Sequence, residues 1–256
     1  MAKSIAAADS NSYYINQFYN EHNRAAHTAT TGVEVLNYHH HHHHIDAFVC
    51  CTGTGGTAAG VSAAIDDYRG DSSNELPKVV VCAVRGQAAQ VQPDASVSVV
   101  DPAVVEKEGS TILEGVGSSQ PYANLAAIRK SVLGATMRLG ARGDADAVAM
   151  TKWLLRREGL FVGGSAGANV LAAARYGLHL KSRQKRHGDT GRRPAVLTLL
   201  CDGGVMYAAT LHSEEWLAEK GQELVAAARA GTAGDDHVSF IREPADDFVI
   251  VDCDTQ

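Results

Sequence analysis

Short apolar runs alternate with helix-like stretches along this chain. The runs typical of buried strands are Ala47–Cys51, Val79–Val84, Val97–Val100 and Ala195–Cys201. The stretches with helical spacing of apolar residues are Ser62–Tyr68, Asp144–Glu158, Ala166–Tyr176 and Ser213–Ala230, with Asp144 as a predicted N-cap. Alternation of this kind predicts an α/β fold in which helices flank a parallel sheet.

Composition narrows the class of protein. A chain of 256 residues that is 45% hydrophobic can build one large or two modest domains. Its net charge of -6 argues against binding to nucleic acid, whose backbone is also negatively charged. The start, "MAKSIAAADSNSYY", is too polar for a secretory signal, and no apolar run is long enough to span a membrane. We therefore expect a soluble protein.

The cysteines bear on the compartment. Cys50, Cys51, Cys82, Cys201 and Cys253 are odd in number and lie mostly in strand-like runs. This usage is typical of reduced thiols and predicts a cytoplasmic location rather than a disulfide framework. A mitochondrial location stays open if the natural N-terminus lies upstream of this sequence.

A glycine-rich loop is the main candidate for chemistry. "FVCCTGTGGTAAGVSAAI", from Phe48 to Ile65, is an apolar strand followed by glycines and a helix. Its glycines (Gly53, Gly55 and Gly56) permit a tight turn, and its threonines (Thr54 and Thr57) add hydroxyl donors. Amides at a helix N-terminus attract anions, so the loop is predicted to bind a phosphate group. A structural turn without ligand is the alternative from the local pattern.

Two known phosphate loops fit this segment poorly. No lysine occurs between Phe48 and Ile65, which excludes the loop of nucleoside triphosphatases. A dinucleotide loop fits loosely, but its acidic partner would have to come from Asp66, Asp67 or Asp71. These residues belong to a polar linker, "DDYRGDSSNELP", rather than to the end of a strand. The dinucleotide interpretation is therefore weak.

Three polar segments are predicted to lie outside the folded core. The tract His39–His44 is interpreted as a dispensable low-complexity surface loop, and no metal site is assigned to it. The run Lys181–Arg193 is basic and lacks aromatic residues, which favours a solvated loop over a nucleic-acid patch. Residues 231–256 are expected to form an acidic tail that is only partly ordered.

Five segments, taken in order, resemble one enzyme family. They are "NQFYNEHNRAAHTATTGVEV" (Asn16–Val35), "IDAFVCCTGTGGTAAGV" (Ile45–Val61), "ILEGVGSSQPYANL" (Ile112–Leu125), "LLRREGLFVGGSAGANVLAA" (Leu154–Ala173) and "LLCDGGVMY...EEWLAEKG" (Leu199–Gly221). Each is only moderately specific alone. Together they resemble the pyridoxal-phosphate enzymes of the cysteine synthase and cystathionine β-synthase group, across most of the chain.

The resemblance implies a fold and a set of site residues. The fold would be the large-domain part of a two-domain fold-type II pyridoxal-phosphate enzyme, formed by residues 1–230, with the cofactor in the cleft between domains. Pyridoxal 5'-phosphate would be held through Gly53, Thr54, Gly55, Gly56 and Thr57. Ser165 would face cofactor or substrate, unless it is only the N-cap of its helix. Gln17 would hold the substrate carboxylate, unless it is a capping or buried glutamine.

The same resemblance exposes missing parts. In the family, the lysine that binds the cofactor precedes the segment that here begins at Asn16, as do a substrate-binding Ser/Thr-Asn loop and an asparagine near the cofactor's ring oxygen. None of the eight lysines has the family's lysine context: Lys3, Lys78, Lys107, Lys130, Lys152, Lys181, Lys185 and Lys220. We therefore assign no catalytic residue and expect this sequence to be the C-terminal part of such an enzyme.

Three further positions depart from the family pattern. Gly203 stands where the family has a serine that hydrogen-bonds the cofactor's ring nitrogen, and Met206 replaces an arginine or its equivalent. Between Lys78 and Asp101 the chain carries more residues than the single strand expected there. Without a hydrogen-bond partner for the ring nitrogen, the protein would have less influence on how strongly the cofactor ring withdraws electrons.

The resemblance favours one reaction and leaves two alternatives. A cysteine synthase would replace the leaving group of an activated serine with sulfide, and a homodimer is expected from the family. A cystathionine β-synthase would add homocysteine instead. A catalytically inactive remnant or partner subunit is the alternative from a different class, because the lysine is missing.

Overall fold

The computed structural model describes residues 1–41, 44–68, 75–188, 191–232, 241 and 248–253. Its helices are α1 (Ala2–Ala8), α2 (Glu21–Ala29), α3 (Thr31–His41), α4 (Gly56–Asp67), α5 (Pro102–Glu108), α6 (Gly143–Glu158), α7 (Gly164–Arg186), α8 (Glu214–Lys220) and α9 (Gln222–Thr232). Its strands are β1 (Ala47–Cys51), β2 (Lys78–Ala83), β3 (Ala89–Val91), β4 (Val97–Val99), β5 (Leu133–Arg138), β6 (Val196–Leu197) and β7 (Val249–Asp252). Within the described ranges, none of the helices has the length and apolarity needed to cross a bilayer.

The main sheet is largely parallel. Its strand order is β6-β1-β2-β5-β7, in which only β7 runs antiparallel to its neighbour. The predicted α/β architecture with a parallel sheet and flanking helices is confirmed. Both faces are covered, as parallel sheets require, because alternate residues of each strand point to opposite sides.

Two apolar cores lie on the two faces of this sheet. Val49 and Val80 point into the core that α6, α7 and α9 complete. Phe48 and Val79 point into the core that α3 and α4 complete. The continuous apolar character of β1, rather than an alternating pattern, follows from this burial on both faces.

The strand predictions hold only in part. The run Val97–Val100 forms β4 of a separate antiparallel hairpin with β3, which accounts for the extra residues before Asp101. The run Ala195–Cys201 pairs with β1 only at Val196 and Leu197. Thr198 ends that pairing with its side chain, since its hydroxyl donates to Val49 O at 2.7 Å. The apolar pattern also does not predict β5, whose mixed sequence "LGATMR" hides its position in the sheet.

Helix boundaries differ from the predicted ones for local reasons. The helix predicted over Ala166–Tyr176 is α7, which starts at Gly164 and continues to Arg186. The segment Ser213–Ala230 divides into α8 and α9, and the Ser213 hydroxyl caps α8 by accepting from Trp216 N. Asp144 is not an N-cap, because that position is taken by Arg142. Its carboxylate instead accepts hydrogen bonds from outside the helix.

The predicted basic loop at Lys181–Arg193 is wrong for residues 181–186. These residues form the last turns of α7, where basic side chains favour the negative end of the helix dipole. Residues 189 and 190 lie outside the described part of the chain. The predicted tail also contributes structure, because β7 pairs with β5 and Asp252 contacts His179 at 3.1 Å and Arg183 at 3.2 Å.

The histidine tract is not the surface loop that was predicted. His39, His40 and His41 form the last turn of α3, while residues 42 and 43 lie outside the described part of the chain. His39 is 5% exposed, and its Nδ1 accepts a hydrogen bond from Ile45 N at 3.2 Å. Among the described residues of the tract, His39 is thus a buried side chain that links α3 to the segment leading into β1.

We expect His39 to make folding stability sensitive to mild acid. Burial, helped by the neighbouring His44 and His40, lowers the pKa of His39 from its ordinary value of 6.5. The folded state thus favours neutral His39, so its contribution is present above about pH 6.5 and is lost as pH falls towards the folded-state pKa. Urea unfolding at about pH 7.5 and 5 should show a larger loss of stability for the natural protein than for His39→Gln.

His41→Gln is the matched control, because His41 is exposed on the same helical turn. It should keep the natural pH dependence. His27 and His212, whose pKa values burial also lowers, should leave a residual dependence in His39→Gln. An identical pH dependence of His39→Gln and the natural protein would contradict the assignment.

Candidate functional site

The glycine-rich loop joins β1 directly to α4. Cys51 is the last residue of β1, Gly55 is the N-cap with φ 85°, and α4 begins at Gly56. Thr54 Oγ1 accepts from Gly56 N at 3.2 Å, which closes the turn. The amides of Thr57 and Ala58 lie in the first helical turn, where no intrahelical acceptor is available. The predicted strand, loop and helix are thus in place, with helix-start amides of the kind that bind anions.

The glycines are required by packing against neighbouring protein atoms. A Cβ at Gly53 would lie 2.7 Å from Gly115 O, and one at Gly56 would lie 2.1 Å from Asn23 Oδ1. A Cβ at Gly55 would lie 2.4 Å from Leu125 Cα. The absence of a Cβ at these three positions therefore lets the surrounding segments approach the loop.

The two loop threonines are held by side chains of α2. Asn23 Nδ2 donates to Thr54 Oγ1 at 3.2 Å, and Thr57 Oγ1 lies 3.2 Å from His27 Nε2. The other ring nitrogen of His27 lies 3.0 Å from Thr31 Oγ1. Burial lowers the pKa of His27, so the ring is neutral at pH 7 and orients the Thr57 hydroxyl without adding charge.

The backbone of Gln17 is hydrogen-bonded to residues that surround this loop. Its carbonyl oxygen accepts from Asn23 Nδ2 at 2.8 Å and from Asn124 Nδ2 at 3.2 Å, while its side chain is exposed. Asn124 is fully buried, and its Nδ2 also lies within hydrogen-bond distance of Phe18 O and Asn20 O. Gln17 is therefore neither a buried glutamine nor a helix cap, and its side chain is available to a ligand.

The segment Ile112–Leu125 packs against the other side of the loop. Gly117 N donates to Thr52 O at 2.9 Å, and the Ser118 hydroxyl donates to Gly53 O. The start of this segment is held by Asp144, which accepts from Thr111 Oγ1 at 2.6 Å and from Ile112 N at 3.0 Å. Burial raises the pKa of Asp144, against the effect of these hydrogen bonds. The structure thus brings together three of the five segments that share a family pattern.

Ser165 lies in the first turn of α7, after the N-cap Gly163. It is 4% exposed, so its side chain is buried at the start of this helix. The N-cap alternative for Ser165 is therefore wrong. Asn169, one turn further along α7, accepts from Cys51 N at 2.7 Å and lies 3.3 Å from Cys201 Sγ. These contacts tie the Ser165 turn to the end of the loop-bearing strand.

Gly203 leaves space where the family pattern has a serine. It pairs with Val162 in an isolated bridge, and a Cβ at Gly203 would meet only Phe161 O, at 4.0 Å. Its neighbour Asp202 accepts from Tyr207 OH at 2.5 Å, which raises the pKa of Tyr207 to about 12. Met206 is 81% exposed. A Cβ at position 203 would thus meet no crowding from the part of the chain that the structure describes.

Sequence reasoning missed the asparagines that organise the site. Asn23, Asn124 and Asn169 each bridge two segments, as their hydrogen bonds show. All three lie inside the quoted motifs, in "NQFYNEHN", "PYANL" and "GGSAGAN". The asparagines are visible in these motifs, but their hydrogen-bond partners are distant in sequence. Motif spacing therefore could not predict which segments they join.

Comparisons with known proteins agree with these motifs. The family model described as "Pyridoxal-phosphate dependent enzyme" matches residues 1–202. Cysteine synthase 1 of Neurospora crassa is 33% identical over 214 residues, which are 82% of this chain and 49% of that protein. The chain thus spans about half the length of the curated relatives it matches, as the 49% and 48% coverage of two of them shows.

Two solved structures share the fold. An O-acetylserine dependent cystathionine beta-synthase from Helicobacter pylori aligns with a TM-score of 0.56 and 22% identity, covering 81% of this chain and 56% of that one. A hydrogen sulfide-producing enzyme aligns with a TM-score of 0.60 and 22% identity, covering 98% of this chain and 58% of that one. At this identity the structures support the fold, and the family model supports the assignment. The chain belongs to the pyridoxal-phosphate dependent enzyme family.

Proposed function

We propose that this chain supplies the phosphate-binding half of a cysteine synthase, which replaces the leaving group of an activated serine with sulfide to form L-cysteine. The observation that carries the proposal is the convergence of three segments on the start of α4. The Gly53–Thr57 loop, the Gln17 backbone and the Gly115–Ser118 turn are joined there by hydrogen bonds. The 33% identity to a fungal cysteine synthase supports this reaction over others of the family.

The residues present fit a pyridoxal phosphate group. The amides of Thr57 and Ala58 would hold the phosphate at the α4 N-terminus, with the Thr57 hydroxyl as a further donor. Thr54 would act on the ligand indirectly, since its hydroxyl oxygen holds Asn23 and the Gly56 amide. The net charge of -6 is compatible with this site, because helix-start amides neutralise a phosphate without a basic patch.

Two further side chains would position the ring and the substrate. Ser165 would face the cofactor ring from the first turn of α7. The exposed side chain of Gln17 would hold the substrate carboxylate. When bound, pyridoxal phosphate withdraws electrons from the substrate amino acid and so makes loss of its β-substituent possible. This chain's own contribution is to hold the phosphate and orient the ring.

A cystathionine β-synthase is the second candidate. The segment "GGSAG" around Ser165 resembles that branch of the family, and a cystathionine beta-synthase from Oryctolagus cuniculus is 26% identical over 213 residues. In that case homocysteine would take the place of sulfide. A non-catalytic role, as a phosphate-binding partner of another subunit, remains the candidate from a different class.

We expect Thr57→Val to weaken binding of deoxypyridoxine 5'-phosphate by about tenfold to a hundredfold, since a hydrogen bond to a charged group contributes about 1.5–3 kcal/mol. This probe lacks an aldehyde, so it reports reversible binding and cannot react with lysines. Equilibrium dialysis should also show that deoxypyridoxine without phosphate binds more weakly. Valine keeps the shape of threonine and removes only the hydroxyl.

Thr30→Val is the matched control, because the Thr30 hydroxyl is exposed at the end of α2 and donates to Ala26 O rather than to the His27 ring. It should leave the affinity for the probe unchanged. Equal binding of the probe with and without its phosphate, or equal affinities for both variants and the natural chain, would reject the phosphate site.

A further inference from the structure

We propose that Lys152 is a reactive amine that condenses with small aldehydes in a second pocket, between α6, α8 and α9. This cavity of about 230 Å³ is lined by Lys152, His212, Glu214 and Arg229 together with apolar residues such as Leu217. None of the residues assigned to the phosphate loop lines it. The inference therefore does not rest on the proposed cysteine synthase activity.

Lys152 is paired with a histidine that can take its proton. Lys152 Nζ lies 3.2 Å from His212 Nδ1 and 3.3 Å from His212 O. His212 Nε2 lies 2.9 Å from Val162 O. Because a carbonyl oxygen only accepts, Nε2 must carry the ring proton, which leaves Nδ1 as an acceptor facing the lysine. His212 is thus in the tautomer with a free Nδ1 lone pair, which is the form that can act as a general base for Lys152.

The surroundings favour the neutral, nucleophilic amine. Lys152 is half-buried, and this burial lowers its pKa, while the charge of Glu214 acts in the opposite direction. Burial also lowers the pKa of His212, and the nearby Lys152 charge acts in the same direction. Glu214 is paired with Arg229, whose Nε lies 2.5 Å from Glu214 Oε1. The charge of Glu214 thus favours the charged form of Lys152 and works against its reactivity.

The reaction is a condensation without oxidation or reduction. His212 Nδ1 accepts one proton from the Lys152 ammonium group, and the amine lone pair forms a bond to the aldehyde carbon. The carbonyl oxygen takes that proton to give a carbinolamine. Loss of this oxygen as water, with a second proton from nitrogen, leaves a protonated imine of Lys152. Ammonium ion and aldehyde thus give iminium ion and water, with charge conserved.

The dimensions of the pocket select short aldehydes. A cavity of about 230 Å³ holds a molecule of several heavy atoms, since one water occupies about 30 Å³ of liquid. Its wall includes Leu217, which is fully buried, and Ala228. A short aliphatic aldehyde can place its chain against this wall and its carbonyl at Lys152.

The test is competitive reductive alkylation of the full chain with limiting propionaldehyde and cyanoborohydride. Peptide mass spectrometry then gives the rate of propylation at each lysine. We expect Lys152 to react at least about tenfold faster than Lys220. A lowered pKa raises the fraction of neutral amine, and a positioned base speeds removal of the proton. Lys220 serves as the internal reference, since it is exposed on neighbouring α8.

Two variants with opposite expected effects make the test specific. Glu214→Gln removes the charge that raises the pKa of Lys152, so it should speed labelling of Lys152 and leave Lys220 unchanged. Glu219→Gln is its matched control, because Glu219 is an exposed residue of the same helix and does not line the pocket. His212→Gln should slow labelling of Lys152 towards the Lys220 rate.

The Glu214→Gln comparison decides the matter even if His212→Gln fails to fold, because Glu214 is a surface residue. The proposal is overturned if Lys152 is labelled no faster than Lys220. It is also overturned if Glu214→Gln and Glu219→Gln change the Lys152 rate equally.

Discussion

Replacing Gly55 with alanine is expected to destabilise the protein by about 2–5 kcal/mol, which combines the left-handed backbone penalty with overpacking. Gly55 has φ 85°, and a Cβ there would lie 2.4 Å from Leu125 Cα and 2.5 Å from Leu125 N. Backbone atoms cannot rotate away as a flexible side chain can. Urea unfolding followed by circular dichroism measures the loss of stability.

Gly159→Ala is the matched control for the backbone term. Gly159 also has a left-handed conformation, with φ 69°, but nothing lies within 4 Å of its hypothetical Cβ. It should lose only about 1–2 kcal/mol. Equal losses at both positions would show that the loop can move away from Leu125, and would weaken the view that tertiary packing fixes its shape.

The same loop position should matter for cofactor binding. In a protein that also carries the lysine-bearing half, a β-branched residue in place of Gly55 should abolish binding of the cofactor phosphate. The reason is that the first turn of α4 would shift and its amides would no longer converge. Unchanged cofactor affinity in such a folded variant would contradict the assignment of the loop.

The 256-residue chain alone is expected to show no β-replacement activity. The reaction needs a lysine that binds the cofactor covalently and releases it to the substrate amine. From the family resemblance, none of the lysines of this chain is expected to fill that role, and Gly203 would offer no side chain to the ring nitrogen. Incubation with pyridoxal phosphate, O-acetylserine and sulfide should therefore give no cysteine above the rate without protein.

Borohydride reduction followed by mass spectrometry identifies which lysine, if any, has reacted with pyridoxal phosphate. It therefore distinguishes cofactor binding for catalysis from aldehyde reaction at Lys152. Pyridoxal phosphate is itself an aldehyde, so an adduct at Lys152 without cysteine formation would not contradict the prediction of inactivity. Stoichiometric labelling of another lysine, such as Lys3 or Lys130, together with cysteine formation would disprove the prediction of inactivity. It would mean that this lysine has taken over the cofactor-binding role.

The amino-acid sequence by itself determined the central unit of this fold. The apolar run Ala47–Cys51, the glycines that follow it and the small residues of α4 specify strand, turn and helix through short-range preferences. The family also followed from sequence, because five motifs in order identify it, and the model matching residues 1–202 agrees. Such features depend on neighbours close in the chain, which is why they could be predicted.

Tertiary structure decided which segments meet and what their polar side chains do. Asn124 is buried at a site that joins Gln17 to a segment more than a hundred residues away, and no local pattern encodes that contact. The strand "LGATMR" lies in the sheet because β2 and β7 pair with it, despite its mixed sequence. His39 is buried at the connection between α3 and β1, where its ring accepts from Ile45 N. Hydrogen-bond partners and burial are properties of the assembled fold. From sequence alone, these polar residues would be predicted to lie on the surface, because their partners are distant in the chain.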